Sequence, residues 1–310
     1  MENNLPQGFT LRALTPDDAQ RVTDFIGVCD TFDYGEPDFS LEDVRADWRR
    51  DGFVLERDAW LIFANDGTLA AYGFVWDAGE RARVEPTTCV HPNFREHGLD
   101  DFHIAQVEAH TRAQLETKII QWIVNSAQHS WTERFEQRGY HIARHDYVME
   151  IVLDEKPNPP TLANGFVMRS FERGRDERAV WACLQEAFRD HRGHSDREYE
   201  EWASSFFEHP EWSCELSAVV TQGDEVVAAA MVFHSFAGGW IGTLGVRRPW
   251  RKHGIGLAML YRIFGECYAR EIKKVGLGVD AESLTGATRL YERAGMKVKV
   301  HFVRYEKEMK

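Results

Sequence analysis

The chain has 310 residues, 43% of them hydrophobic, enough for two cores of ordinary size, and carries a formal net charge of −13 with a pI near 5.5. That acidic balance argues against nucleic acid and anionic membrane as partners, and with no signal-peptide pattern and no apolar run near a membrane-spanning length the expectation is a soluble, cytoplasmic protein. Five cysteines (29, 89, 183, 214 and 267) stand without a C-x-x-C pair, and His191-x-x-His194 has no third ligand at suitable spacing, so neither a disulfide frame nor a bound metal is expected.

In chain order, Gly8-Phe-Thr-Leu-Arg-Ala-Leu14 opens the first half. Thr15-Pro16-Asp17-Asp18 then reads as a helix N-cap with proline at the first helical position. Ser40-x-x-Asp43 has the form of a capping box opening a second helix, and Asp66-Gly67 reads as a hairpin turn. Asp154 to Thr161 holds three prolines and no hydrophobic period, the composition of a linker. After it the pattern restarts: Gly165-Phe-Val-Met-Arg-Ser-Phe171, a capping box at Ser195-x-x-Glu198 and a hairpin turn at Gly223-Asp224. Trp240 to Val246 reads as a strand, and Leu257 to Lys274 as a helix with Leu260, Ile263, Phe264 and Cys267 on one apolar face. Val275 to Asp280 is a short strand. Ala287 to Gly295 is a short helix closed by glycine, and Met296 to Glu306 alternates as a last strand.

Between strand and helix lies Arg251-x-x-Gly254-x-Gly256. Two glycines let the backbone approach a ligand closely, and the first N–H groups of the helix lack internal partners. With the positive end of the helix dipole and the nearby Arg247, Arg248, Arg251 and Lys252, this turn is suited to a pyrophosphate. An Arg-x-x-Gly-x-Gly turn so placed resembles the coenzyme A loop of the GNAT acetyltransferase superfamily. The segment Leu290-Tyr291-Glu292-Arg293-x-Gly295 resembles that superfamily's closing element.

The resemblance implies two tandem GNAT folds of α/β (α+β) class, each a mixed, mostly antiparallel twisted sheet flanked by helices. A shift of 156 positions lays Val90, Arg95, Gly98, Phe135, Glu136 and Gly139 on Val246, Arg251, Gly254, Tyr291, Glu292 and Gly295. A repeat this long is a domain rather than a solenoid unit of about 20–50 residues. The expected division is a degenerate domain over 1–153, a linker over 154–164 and a catalytic domain over 165–310. In the first copy Glu96 stands at Lys252, Asp100 at Gly256 and Phe135 at Tyr291. Carboxylates there favour a helix start and repel a pyrophosphate, so one working site is expected, in the second copy.

The resemblance further implies acetyl transfer from acetyl-CoA to the primary amine of a small molecule, by direct attack in a ternary complex. The cofactor would be held by the backbone of Leu244, Gly245 and Val246 and by the turn Arg251, Lys252, His253, Gly254, Ile255 and Gly256. Ser283 stands where relatives carry an asparagine that touches the pantetheine arm. Tyr291 is the expected general acid, and His234 and Asp280 are candidate bases. The layout of a worn first half and an intact second half also resembles mycothiol synthase, which would imply acetylation of an amino-sugar conjugate. The acid that pattern places near the start of the strand before the loop is missing from Gly239-Trp240-Ile241-Gly242. A non-catalytic acyl-CoA sensor is the alternative from another class. The expected state is a monomer or homodimer.

Overall fold

The computed structural model describes residues 5–37, 39–50, 52–77, 83–128, 130–189, 196–235, 237–283 and 286–309, except residues 115–118. The chain divides into two compact units, residues 1–144 with 302–310, and residues 145–301.

The first unit runs β1 (Phe9–Ala13), α1 (Ala19–Tyr34), α2 (Leu41–Trp48), the single turn α3 (Leu55–Asp58), β2 (Ala59–Ala64), β3 (Leu69–Asp77), β4 (Arg83–Val90), α4 (Leu99–Gln114), β5 (Ile119–Asn125) and α5 (Ser130–Gln137). β6 (His141–Val152) then leads away. The second repeats the order as β7 (Phe166–Ser170), α6 (Glu177–Phe188), α7 (Tyr199–Phe207), β8 (Trp212–Gln222), β9 (Glu225–Ser235), β10 (Gly238–Val246), α8 (Ile255–Ala269), β11 (Lys274–Asp280), α9 (Ala287–Arg293) and β12 (Lys297–Glu308). Each unit is a mixed sheet between two helical layers, as the sequence pattern implies. Strand alternation feeds both layers. On β2, Ala59 and Leu61 pack with Val22, Phe25 and Val44 beneath α1 and α2, while Trp60 and Ile62 pack with Leu99, Ile104 and Val107 of α4. On β9, Ala229 and Met231 meet Val180, Leu184 and Trp202, while Ala228, Ala230 and Val232 meet Met259, Ile263 and Phe264 of α8.

The compact units depart from a cut at 153–165. Residues 145–152 of β6 pair with β11 from Asp146↔Asp280 to Val152↔Lys274, so they belong to the second unit. Residues 302–308 of β12 pair with β5 from Phe302↔Asn125 to Glu308↔Ile119, so they belong to the first. The last strand of each half therefore completes the other half's sheet.

Backbone conformations repeat with the sequence. Gly67, Glu96, Gly98 and Gly139 take positive φ of 86°, 72°, 78° and 79°, and Gly223, Lys252, Gly254 and Gly295 take 59°, 68°, 78° and 97°. The capping box at Ser40 forms, with Ser40 Oγ accepting from Asp43 N at 3.2 Å and Asp43 Oδ2 accepting from Ser40 N at 2.8 Å. Ser195 lies outside the described residues. α8 ends at Ala269, short of Lys274, because Glu271 adopts φ 60° and Ile272 N–H turns back to Cys267 O at 3.0 Å. This is a Schellman stop built on glutamate, so no glycine announces it.

Each unit also carries an internal ion pair at the start of its first helix. Arg12 grips Asp18 through two hydrogen bonds of 2.7 and 2.8 Å, and Arg169 reaches Asp176 at 2.7 Å. Both carboxylates are buried, and despite the cost of burial their guanidinium partners hold them below the usual carboxylate range. With the folded pKa lowered, this stability is fully present above the unfolded value of about 3.9, begins to shrink below it, and is lost as pH falls through the lower folded value. Asp18→Ala is expected to cost about 1.5–3 kcal/mol at pH 7, the range for hydrogen bonds to a charged group. Urea melts at pH 7 and pH 3 check both statements: the loss should shrink at the lower pH, and an equal loss at both would refute the ion-pair account.

Candidate active site

In the second unit β10 and β11 run parallel and, among the described residues, pair only at Gly239↔Val275 and Trp240↔Gly276. Beyond these pairs the strands part, toward Val246 on one and Asp280 on the other. The registry of β10 with β9 slips between Ile241 and Thr243, leaving Gly242 as an extra residue, a β-bulge. A Cβ on Gly242 would stand 2.5 Å from the Phe233 ring, so the bulge requires glycine. The corresponding pairing of β4 with β3 runs without a slip from Val84↔Asp77 to Val90↔Ala71. There Pro86 occupies the position of Gly242, and it has no N–H to offer.

Past the bulge the strand alternates. Leu244 points to the α8 side, where its Cδ2 lies 3.9 Å from an ideal Cβ on Gly256. Gly245 faces α6, and a Cβ there would meet Ala187 and Leu184 at 2.9 Å. After Val246 the chain turns through Arg248–Trp250 into the Arg251–Gly254 turn and α8. Arg251 supports the turn from inside: Nε donates to Val246 O at 3.0 Å and an Nη to Ala187 O at 2.9 Å. His253 Nδ1 lies 2.9 Å from Arg251 O. Arg247 pairs with Glu186 at 2.6 Å and with Glu225, and lies 4.8 Å over the Trp250 ring. The guanidiniums of Arg247 and Arg251 are thus engaged by protein groups.

Lys252, His253 and Gly254 are exposed, and Gly254 caps α8 in a left-handed conformation with open space around its missing side chain. Among the described residues no side chain caps α8, which leaves the first-turn N–H groups directed at this opening. Residues of this kind fit a pyrophosphate through backbone donors and one exposed ammonium.

α9 packs against the start of α8: Leu290 Cδ2 would stand 3.0 Å from a Cβ on Gly256, and the next residue, Tyr291, joins the buried cluster that holds Ile255 and Met259 of α8. Tyr291 is 8% exposed, and burial pushes its phenol up to about 12. No described residue accepts a hydrogen bond from its hydroxyl. Phe135, its counterpart, is fully buried and packs on Trp131, Tyr140 and Tyr305 with ring centroids 4.8–5.4 Å away.

Asp280 lies at the parted end of β11, where its Oδ1 accepts from Glu282 N at 2.8 Å and its carbonyl from Ser283 N at 3.1 Å. Ser283 therefore belongs to the turn that follows this strand. His234 is exposed and pairs with Gly239, seven residues before Val246, or about 23 Å along the strand. The strand register separates His234 from the loop and from Asp280. Sequence reading also passed over His145 and His301, whose Nδ1 and Nε2 lie 2.9 Å apart; the carbonyl of His145 accepts from Ala281 N at 2.9 Å beside Asp280. Burial and the neighbouring His145 lower the His301 imidazole below its usual range. Their spacing of 156 residues, that of the repeat, was the available signal. His191 and His194, the spaced histidine pair of the sequence, lie outside the described residues.

The first unit keeps the turn without its ligand features. Arg95 Nε donates to Val90 O at 3.2 Å and His97 Nδ1 lies 3.1 Å from Arg95 O, as at Arg251 and His253. Asp101, however, pairs with Arg134 and Arg138 at 3.1 and 3.3 Å, and Asp100 is buried at the position of Gly256.

A solved structure of a GCN5-related N-acetyltransferase from Sphaerobacter thermophilus shares 36% identity with the chain, with a TM-score of 0.84, over 99% of this chain and 98% of the other. The chain belongs to the GCN5-related N-acetyltransferase (GNAT) family. The model of the "Acetyltransferase (GNAT) family" matches residues 178–296, within the second unit. A tandem GNAT protein from the clavulanic acid biosynthesis pathway shares the fold at 14% identity, with a TM-score of 0.72 over 97% of this chain and 99% of that one. So does N-myristoyltransferase of Saccharomyces cerevisiae with bound myristoyl-CoA, at 11% identity and a TM-score of 0.63 over 97% and 79% of the two chains. No curated protein sequence matches the chain. As a GNAT enzyme it is an N-acetyltransferase, and the family draws its acyl group from an acyl-CoA. No helix among the described residues is long and apolar enough to cross a membrane.

Proposed function

We propose that the chain transfers an acetyl group from acetyl-CoA to a primary amine of a small molecule, in the second unit alone and by direct attack within a ternary complex. The observation that carries this reading is the difference between the two copies. The second has a glycine bulge at Gly242 and an open Gly254–Gly256 turn, where the first has Pro86 and a buried Asp100.

Bound acetyl-CoA would supply an activated thioester carbonyl. The N–H groups from Gly254 to Leu257, with Lys252, would hold its pyrophosphate. The bulged strand through Leu244, Gly245 and Val246 would direct backbone donors at the thioester oxygen, where a fixed donor can contribute about 2.7–4 kcal/mol. Tyr291 would hold a proton toward the departing sulfur. Asp280, at the parted end of β11, would accept a proton from the amine, with the His145–His301 pair beside it. The charge of −13 suits a cationic acceptor, an amine or an amino sugar.

Thiol release measured with a chromogenic reagent, across a panel of alkyl, aryl and amino-sugar amines, tests the reading. Release with at least one amine, absent without amine, is expected. Tight coenzyme A binding with no transfer to any amine in the panel would overturn it in favour of a sensor.

A further inference from the structure

The first unit has lost the features that suit a pyrophosphate, yet it encloses a cavity of about 730 Å³. Its origin is the parting of two strands. Among the described residues β4 and β5 pair only at Arg83↔Ile119 and Val84↔Ile120, and residues 85–90 and 121–125 beyond those pairs line the space. α1, α2, β3, the turn into α4 and α5 close the remaining sides. The volume falls in the range of about 300–1,000 Å³ that small-molecule sites occupy.

The lining has a definite chemistry. Six acidic side chains line it (Asp30, Asp33, Asp47, Glu85, Glu96 and Asp100) with three guanidiniums, and burial raises Asp47 and Asp100 above the usual carboxylate range. Two of those guanidiniums are neutralised locally: Arg95 holds Asp33 through two bonds of 2.7 Å, and Arg50 pairs with Asp47. The third, Arg134, is bound to Asp101 at 3.1 Å. The half-buried Glu85 carboxylate has no ion-pair or hydrogen-bond partner among the described residues. Aromatic rings make much of the wall, among them Phe32, Phe39, Tyr72, Trp122 and Trp131. Unpaired negative charge beside aromatic faces is the environment that attracts an organic cation, through Coulomb attraction and ring quadrupoles together. It repels a diphosphate for the same reason.

We infer that this cavity binds a small organic ammonium with an apolar body, with Glu85 as the counter-charge, and that it does not bind acyl-CoA. The copy that lost cofactor chemistry has kept the cradle and reversed its charge preference. This inference stands independently of the transfer reaction proposed for the second unit.

Calorimetry on the full chain with phenethylamine, hexylamine and spermidine, each compared with 2-phenylethanol as a neutral control, tests it. At least one amine is expected to bind while the alcohol does not. Glu85→Gln should weaken that amine by about 5–20-fold, and Glu85→Lys should abolish binding by placing an ammonium in the site itself, with the circular dichroism melt of each variant unchanged as the check on folding. Glu85→Gln keeps the shape of the side chain, so it remains informative if Glu85→Lys fails to fold. No binding by any of the three amines at millimolar concentration, equal binding by the alcohol, or undiminished binding in a folded Glu85 variant would each overturn the assignment. A second coenzyme A equivalent in the parent that disappears in a Glu85 variant would show an acyl-CoA site instead.

Discussion

Gly256→Asp is expected to weaken coenzyme A binding by more than 100-fold, while the parent binds one equivalent per chain. The substitution places in the second unit the residue that the first carries at Asp100. Two effects are mixed in it and have to be separated. A Cβ at this position would stand 3.0 Å from Leu290 Cδ2, closer than ordinary contact, so any side chain must displace the end of Leu290 slightly. A carboxylate about 5 Å from a diphosphate, at an effective dielectric near 20, adds a repulsion of about 3 kcal/mol, which alone is a factor of roughly 10². Gly256→Ala introduces the crowding without the charge and should cost less than tenfold. Folding should survive in both, since an acid in the first turn of a helix stabilises it by about 0.3–1 kcal/mol. Calorimetric titration with coenzyme A reads all three proteins. Two equal sites in the parent would refute the single site, and normal affinity in the aspartate variant would remove the loop from the binding site.

Much of this architecture was legible because it is written in residues with few alternatives. Glycines at positive φ recur at the repeat spacing, and the sequence reader meets them as Gly67 and Gly223, Gly98 and Gly254, Gly139 and Gly295. Residues that borrow glycine's conformation are silent: Lys252 and Glu271 at φ 68° and 60° gave no warning, and α8 stops early for that reason. The exchanged last strands were not legible either. β6 and β12 would alternate in the same way whichever sheet they joined, and only the register with β11 and β5 decides. Gly242 was a missed signal, because an isolated glycine inside a strand marks a bulge. The basic cluster before α8 reads in the sequence as a phosphate clamp, but Arg247 spends its donors on Glu186 and Glu225 and Arg251 on the carbonyls of Val246 and Ala187, partners that, Val246 apart, lie far away in sequence. The cavity of the first unit had no sequence signature. Its lining comes from α1, α2, α5 and three strands, and substitutions that read as loss of one chemistry gave no sign of another.

Tyr291→Phe is expected to lower kcat by about 10–100-fold and leave the KM for acetyl-CoA within about twofold. The structure sets that size. General acid catalysis typically contributes about 10²–10⁴-fold when the acid is matched to its leaving group. Burial holds the Tyr291 phenol at about 12, whereas a departing thiol has a reference value of about 8.5. Complete transfer of the phenolic proton to sulfur is therefore uphill, and the hydroxyl acts as a fixed hydrogen-bond donor to developing negative charge. Hydrogen bonds to charged groups contribute about 1.5–3 kcal/mol, or roughly 10–150-fold. Loss of an interaction made only as charge develops should appear in kcat rather than KM. The same pKa fixes the pH behaviour: the phenol stays protonated below about 12, so the ratio of parent to variant kcat should remain constant between pH 7 and pH 10. A ratio that collapses over that interval would mean the hydroxyl ionises near neutrality, against the desolvation seen here. The fold should tolerate the change, because Phe135 fills the equivalent position with its ring fully buried and no described residue depends on the Tyr291 hydroxyl. Steady-state kinetics with the best amine of the panel, together with a thermal melt of each protein, makes the measurement. An unchanged kcat in a folded variant, with the chemical step shown to limit turnover, would reduce Tyr291 to a packing residue.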